Sequence, residues 1–153
     1  MVRNPDPSSD FVAAIDLGSN SFHMIVARLA NGQVQVLDRL REMVQLAAGL
    51  DDRNRLSEES QKRALECLAR FGQRLRQIPA EQLRIVGTNT LRQARNSADF
   101  VARAEQVLGH KVEIVRGQEE ARLIYLGVAH SVGDVAGQRL VVDIGDVADA
   151  VDR

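Results

Sequence analysis

Residues 11–21, Phe11 to Ser21, read FVAAIDLGSNS, and the rest of the chain is organised around them. An apolar run from Phe11 to Ile15 ends in Asp16, and the chain then turns through Leu17, Gly18, Ser19, Asn20 and Ser21 before a second apolar run begins. A buried strand that ends in a carboxylate places it at a sheet edge. Gly18 lets backbone approach a ligand closely, while Ser19, Asn20 and Ser21 bring hydroxyl, amide and backbone N–H donors to the same place. Such a turn suits a phosphate, with Asp16 on the metal that accompanies it. The same Gly, Ser and Asn serve an ordinary β-hairpin equally well, and the stretch by itself does not choose.

Working outward, 153 residues are enough for one domain that buries about 70% of its unfolded surface. Hydrophobic residues make up 44% and aromatics only 3%, with no Trp, so Leu, Val, Ile and Ala must fill the core. A net charge of -1 supplies no basic field, which argues against a general DNA or RNA binder and leaves a polyanion to a local cluster. Cys67 has no second cysteine to pair with and lies in a helical pattern, as a small packed thiol does. No apolar run reaches the roughly 18 residues of a bilayer span, and MVRNPDPSSD has no signal-peptide core. A cytoplasmic protein without a membrane partner is expected.

Residues 1–10 are expected to be a disordered leader. Strands follow over residues 11–16, 21–29 and 33–42, the last two joined by a turn at Asn31 and Gly32, which makes an antiparallel meander. His23, inside the second strand, is assigned no role. Residues 43–56 form a loop into a helix capped by Ser57, with Glu58 and Glu59 in its first turn and Ala64, Leu68, Phe71 and Leu75 on its apolar side. Arg63, Arg70, Arg74 and Arg76 of this helix are expected on a solvated face. A short strand at 83–86 leads through Thr88, Asn89 and Thr90 to Arg92. A helix capped by Ser97 and ended by Gly109 precedes the strand KVEIV at 111–115. Another helix starts near Gly117, and LVVDI at 140–144 is an apolar strand carrying Asp143. The order βββ, α, β, α, β, α, β predicts an α/β fold with a mixed sheet and helices on both faces.

IDLGSNSFHMIVAR at 15–28, IVGTNTLRQARN at 85–96 and GQEEARLIYLGV at 117–128 resemble the exopolyphosphatase and guanosine pentaphosphate phosphohydrolase family, within the actin, Hsp70 and sugar kinase superfamily. The resemblance covers residues 11–145 and one half of the family's catalytic module, a ribonuclease H-like lobe. It implies that Asp16, Gly18, Ser19, Asn20 and Ser21 form the first phosphate loop and that Arg92 holds a polyphosphate oxygen. It further implies that Glu120 is the general base for the attacking water, that Asp143 and Gly145 begin the second phosphate loop, and that Asp143 and Asp16 hold Mg²⁺. Arg39, Arg41, Arg95 and Arg116 are further phosphate contacts with weaker support. Without the resemblance, Glu119 and Glu120 read as charge matched to a helix start, and Arg92 as a surface arginine.

The family pattern continues past Gly145 with glycines, Ser, Thr and Glu, whereas this chain reads DVADAVDR at 146–153, a divergent tail. Asp146 sets a carboxylate where N–H groups would face a phosphate. The expectation is a truncated or frame-shifted product, or an end foreign to the gene. The implied function is release of terminal phosphate from inorganic polyphosphate or guanosine pentaphosphate, with little or no activity in these 153 residues alone. The alternative is a non-catalytic polyanion-binding or assembly module that self-associates through the uncovered face of the lobe. An ATP-using kinase of the same superfamily is a third reading, without an identifiable adenosine pocket.

Overall fold

The structure, a computed structural model, describes residues 10–31 and 33–120. Five strands form one sheet: β1 (Phe11–Leu17), β2 (Ser21–Ala30), β3 (Gln33–Met43), β4 (Leu83–Gly87) and β5 (Glu113–Ile114), in the order β3-β2-β1-β4-β5. The first three pair antiparallel, and β4 and β5 continue the sheet parallel to β1. The meander and the mixed sheet are as expected. Ala30 pairs with Gln33, and Asn31 adopts the left-handed conformation (φ 53°) that a two-residue hairpin turn requires. Asp10, expected in the leader, lies with its carboxylate 3.8 Å from Arg28.

Three helices accompany the sheet: α1 (Glu58–Arg74), α2 (Asn89–Gln93) and α3 (Ser97–Leu108). Ala13, Ile15 and Leu17 of β1, Phe22 and Met24 of β2 and Ile85 of β4 alternate into one core with Ala64, Leu68, Phe71 and Leu75 of α1 and Phe100, Ala104 and Leu108 of α3. This period-two and period-3.6 agreement is why the core is aliphatic and continuous. Cys67 is fully buried in it, and burial, followed by a hydrogen bond to Glu42, pushes its thiol far above the ordinary range. A neutral, inaccessible thiol is no nucleophile.

Several expectations are corrected. Among the described residues α1 and α3 share one face of the sheet, and Ala14, Asp16, His23, Ile25 and Arg84 are exposed on the other. The helix expected to continue past Glu120 and the strand at 140–144 lie outside the described residues. The arginines of α1 are not simply solvated. Arg70 Nε donates to Glu42 Oε1 at 3.0 Å, Arg74 pairs with Asp38, and Arg63 Nε donates to the Val44 carbonyl at 3.3 Å, so three of them fasten α1 to β3 and its extension. Ser97 is not the cap of α3. Asn96 holds that position, and its side chain bonds instead to Leu56, accepting from the backbone N–H at 2.8 Å and donating to the carbonyl at 3.0 Å. The strand at 111–115 shortens to Glu113–Ile114, because the Val112 N–H is taken by Glu105 Oε1 at 3.0 Å before the ladder begins. Ser57 caps α1 as expected, accepting from Ser60 N–H at 3.1 Å. Among the described residues no helix is long and apolar enough to cross a membrane.

Candidate functional site

Because β1, β4 and β5 run parallel, the segments that follow them leave the sheet at the same edge. Leu17 lies beside Gly87, and Gly87 beside Ile114. Residues 18–21, 88–93 and 115–120 are thereby neighbours, at the carboxyl ends of strands where open α/β sheets bind ligands. The sequence separation of about 70 residues between the first two is bridged by topology alone.

The first turn is compact. A Cβ at Gly18 would meet the Ser21 carbonyl oxygen at 2.8 Å, so glycine is needed for the backbone to fold back this closely. The segment after β3 closes over the turn: Gln45 N–H donates to the Asn20 carbonyl at 2.8 Å and Ala47 N–H to the Ser19 carbonyl at 2.9 Å. Asp16, next to last in β1, is exposed on the open face. Ser19 and Ser21 are buried.

The second turn is a short helix rather than the open polar turn expected. Thr90, buried in α2, donates its hydroxyl to Ser19 Oγ at 2.7 Å, which locks α2 to the first turn. Sequence reading gave Thr90 no role, since a Thr in a polar turn carries no sign of a partner 71 residues away. Arg92 follows on the same helix. Its Nη1 donates to the Val115 carbonyl and to Glu120 Oε2, each at 2.9 Å. Both of these bonds come from Nη1, and among the described residues Nε and Nη2 donate to no further acceptor. Glu120 lies in the helical turn formed by residues 117–120, its N–H donating to the Arg116 carbonyl at 2.9 Å. Helix α2 thus carries both a bond to Ser19, from Thr90, and a bond to Glu120, from Arg92.

Of the residues singled out from the sequence, Asp16, Gly18, Ser19, Asn20, Ser21, Arg92 and Glu120 fall at this edge. Asp143 and Gly145 lie outside the described residues. Arg39 and Arg41 stand on β3, Arg95 beyond the end of α2 and Arg116 just before the 117–120 turn. Among the described residues no three His, Cys, Asp or Glu side chains gather to hold a metal. A single Asp16 suits Mg²⁺ nonetheless, because that ion keeps several waters and takes one or two carboxylates together with substrate phosphates.

The family model described as Ppx/GppA phosphatase matches residues 25–146, well over half of the chain. The chain belongs to the Ppx/GppA phosphatase family. It is 54% identical over 138 residues to guanosine-5'-triphosphate,3'-diphosphate pyrophosphatases of two Vibrio cholerae serotype O1 strains, a match that covers 90% of this chain and 28% of each relative. The chain therefore spans little more than a quarter of the length of these Ppx/GppA relatives. Among solved structures, the Aquifex aeolicus Ppx/GppA family member superposes with a TM-score of 0.74 at 25% identity, over 80% of this chain and 40% of that one. An exopolyphosphatase from Cytophaga hutchinsonii ATCC 33406 gives a TM-score of 0.72 at 28% identity, over 77% and 38%. The mixed sheet with flanking helices is the fold of these Ppx/GppA proteins, within the actin-like ATPase superfamily.

Proposed function

We propose that the chain forms the N-terminal lobe of a phosphohydrolase that releases terminal phosphate from guanosine pentaphosphate or from inorganic polyphosphate. The observation that carries this reading is the pair of hydrogen bonds made from α2, Thr90 to Ser19 and Arg92 to Glu120, which joins a glycine-containing anion turn to a carboxylate at one sheet edge. The relatives named for action on a guanosine triphosphate-diphosphate and on polyphosphate support the substrate class.

In this reading Gly18, Ser19, Asn20 and Ser21 direct backbone and side-chain donors at a phosphoryl group. Arg92 takes a further oxygen through Nη2 or Nε while Nη1 keeps Glu120 in place. Glu120 accepts the proton of the attacking water as its oxygen bonds to phosphorus and the bond to the leaving phosphate breaks. Asp16, with Asp143 from outside the described residues, would hold Mg²⁺, which supplies charge stabilisation of the phosphoryl oxygens when bound. Gly145 belongs to the second phosphate loop. The remaining length of the relatives would supply the other wall of the cleft.

Phosphate release in the presence of Mg²⁺ tests this. The 153-residue chain alone is expected to turn over far below 1 per second. A chimera joining residues 1–145 to the remaining length of the Vibrio cholerae relative is expected to reach about 1 per second or more on guanosine pentaphosphate. In that chimera Glu120→Gln should lower kcat by about 10²- to 10⁴-fold. Full turnover by Glu120→Gln would overturn the assignment of the base.

A further inference from the structure

Arg41 occupies a position that the sequence did not distinguish from those of Arg39, Arg95 and Arg116. Strand register fixes it. Asp16 pairs with His23 and His23 with Arg41, so the three form one row across β1, β2 and β3, exposed on the face away from the core. At about 4.8 Å per strand, Arg41 and Asp16 lie about 10 Å apart at their Cα atoms, within reach of one extended ligand. Ser21, two residues before His23, is the diagonal neighbour of Arg41 on the same face, and Arg41 Nε donates to Ser21 Oγ at 3.3 Å.

This contact orients the guanidinium without neutralising it. The acceptor is a hydroxyl, and among the described residues no carboxylate pairs with Arg41. Its acidic neighbours on β3 face the other way, Glu42 to Arg70 and Asp38 to Arg74. Arg92, by contrast, shares its charge with Glu120. The other three candidates differ in placement. Arg39 pairs with Ile25, one row farther from the turn; Arg95 is bound through its N–H to the Asn54 carbonyl; Arg116 lies on the β5 side.

We propose that Arg41 is a substrate-binding residue on the β3 side of the turn. Its two Nη groups donate to a phosphate oxygen of a phosphoanhydride chain, while the Nε bond to Ser21 fixes the plane of the fork. The inference rests on the reading of residues 16–21 as a phosphate site. It makes the site two-sided, with Arg92 and Arg41 flanking the turn.

Calorimetric titration of the 153-residue chain with inorganic tripolyphosphate and Mg²⁺, at low and at high salt, tests it. Arg41→Gln is expected to weaken binding by about tenfold or more and to flatten the salt dependence. Arg41→Lys should recover part of the affinity and the salt dependence, since it keeps the charge without the fork. Melting temperatures should stay within about 2 °C of the parent, as for an exposed substitution. Arg76→Gln, which removes the same charge in the turn that follows α1, should bind like the parent. Equal affinity of Arg41→Gln and the parent, with Arg92→Gln weakened, would overturn the proposal and leave the phosphate site standing. Equal losses in the Gln and Lys variants together with a lowered melting temperature would assign Arg41 a structural role only. Absence of tripolyphosphate binding both by the parent and by the chimera of residues 1–145 would remove the phosphate site and Arg41 with it.

Discussion

Thr90 sets the relation between the two halves of the candidate site. Thr90 is 1% exposed, Ser19 is 2% exposed, and the bond between their hydroxyls holds α2 against the turn after β1. Thr90→Val keeps the shape and removes the donor, so it is expected to destabilise the fold by about 1 kcal/mol, a fall in melting temperature of about 2–4 °C by scanning calorimetry. Such a variant should also weaken tripolyphosphate binding, because Arg92 rides on the same short helix. At this scale the sequence disclosed Asp16, Gly18 and the Ser-Asn-Ser donors, whose chemistry is local. It did not disclose Thr90, nor the choice of Arg41 over Arg39, because hydroxyl pairing and strand register depend on partners far along the chain.

Helix α1 is held at both ends by different means. Ser57 and the first-turn acids were legible from their spacing, since capping is a matter of three or four adjacent residues. The attachment of its flank to β3 was not. Arg70 and Glu42 are 28 residues apart, and a helix face rich in arginine reads as solvated until the acids of a neighbouring strand are known to face it. Hydrogen bonding from Arg70 first, and from Cys67 second, holds the Glu42 carboxyl below the usual carboxylate range. A depressed folded-state value means that the ionised pair stabilises the fold above the unfolded value, about 4.3. That stabilisation is lost as pH falls through the folded value. Glu42→Gln is therefore expected to lower the melting temperature by about 1–3 °C near pH 7, an exposed pair being screened. The difference from the parent should shrink toward zero as pH falls below the unfolded value and through the lowered folded one. A constant difference over pH 3–7 would show that packing, and not charge, is what the substitution removed.

On the scale of the whole molecule, the sheet order β3-β2-β1-β4-β5 turns a linear chain into one edge where residues 18–21, 88–93 and 115–120 meet. Asn96 extends the same closure to the periphery, its amide joining the start of α3 to Leu56, 40 residues earlier. Asn96→Ala is expected to destabilise by about 1–3 kcal/mol through the two lost bonds, with unfolding still a single transition by circular dichroism and by calorimetry. By itself the sequence determined the strand meander, the capped amphipathic helix, the aliphatic core and a turn with the donors for an anion, because each follows from residues within a few positions of one another. Only the tertiary structure decided that Asp16, Arg92 and Glu120 share one edge, that Ser19 is tied to Thr90 and that Arg41 lies in the row of Asp16. Those relations are set by parallel pairing and register, which bring together side chains that no local pattern connects.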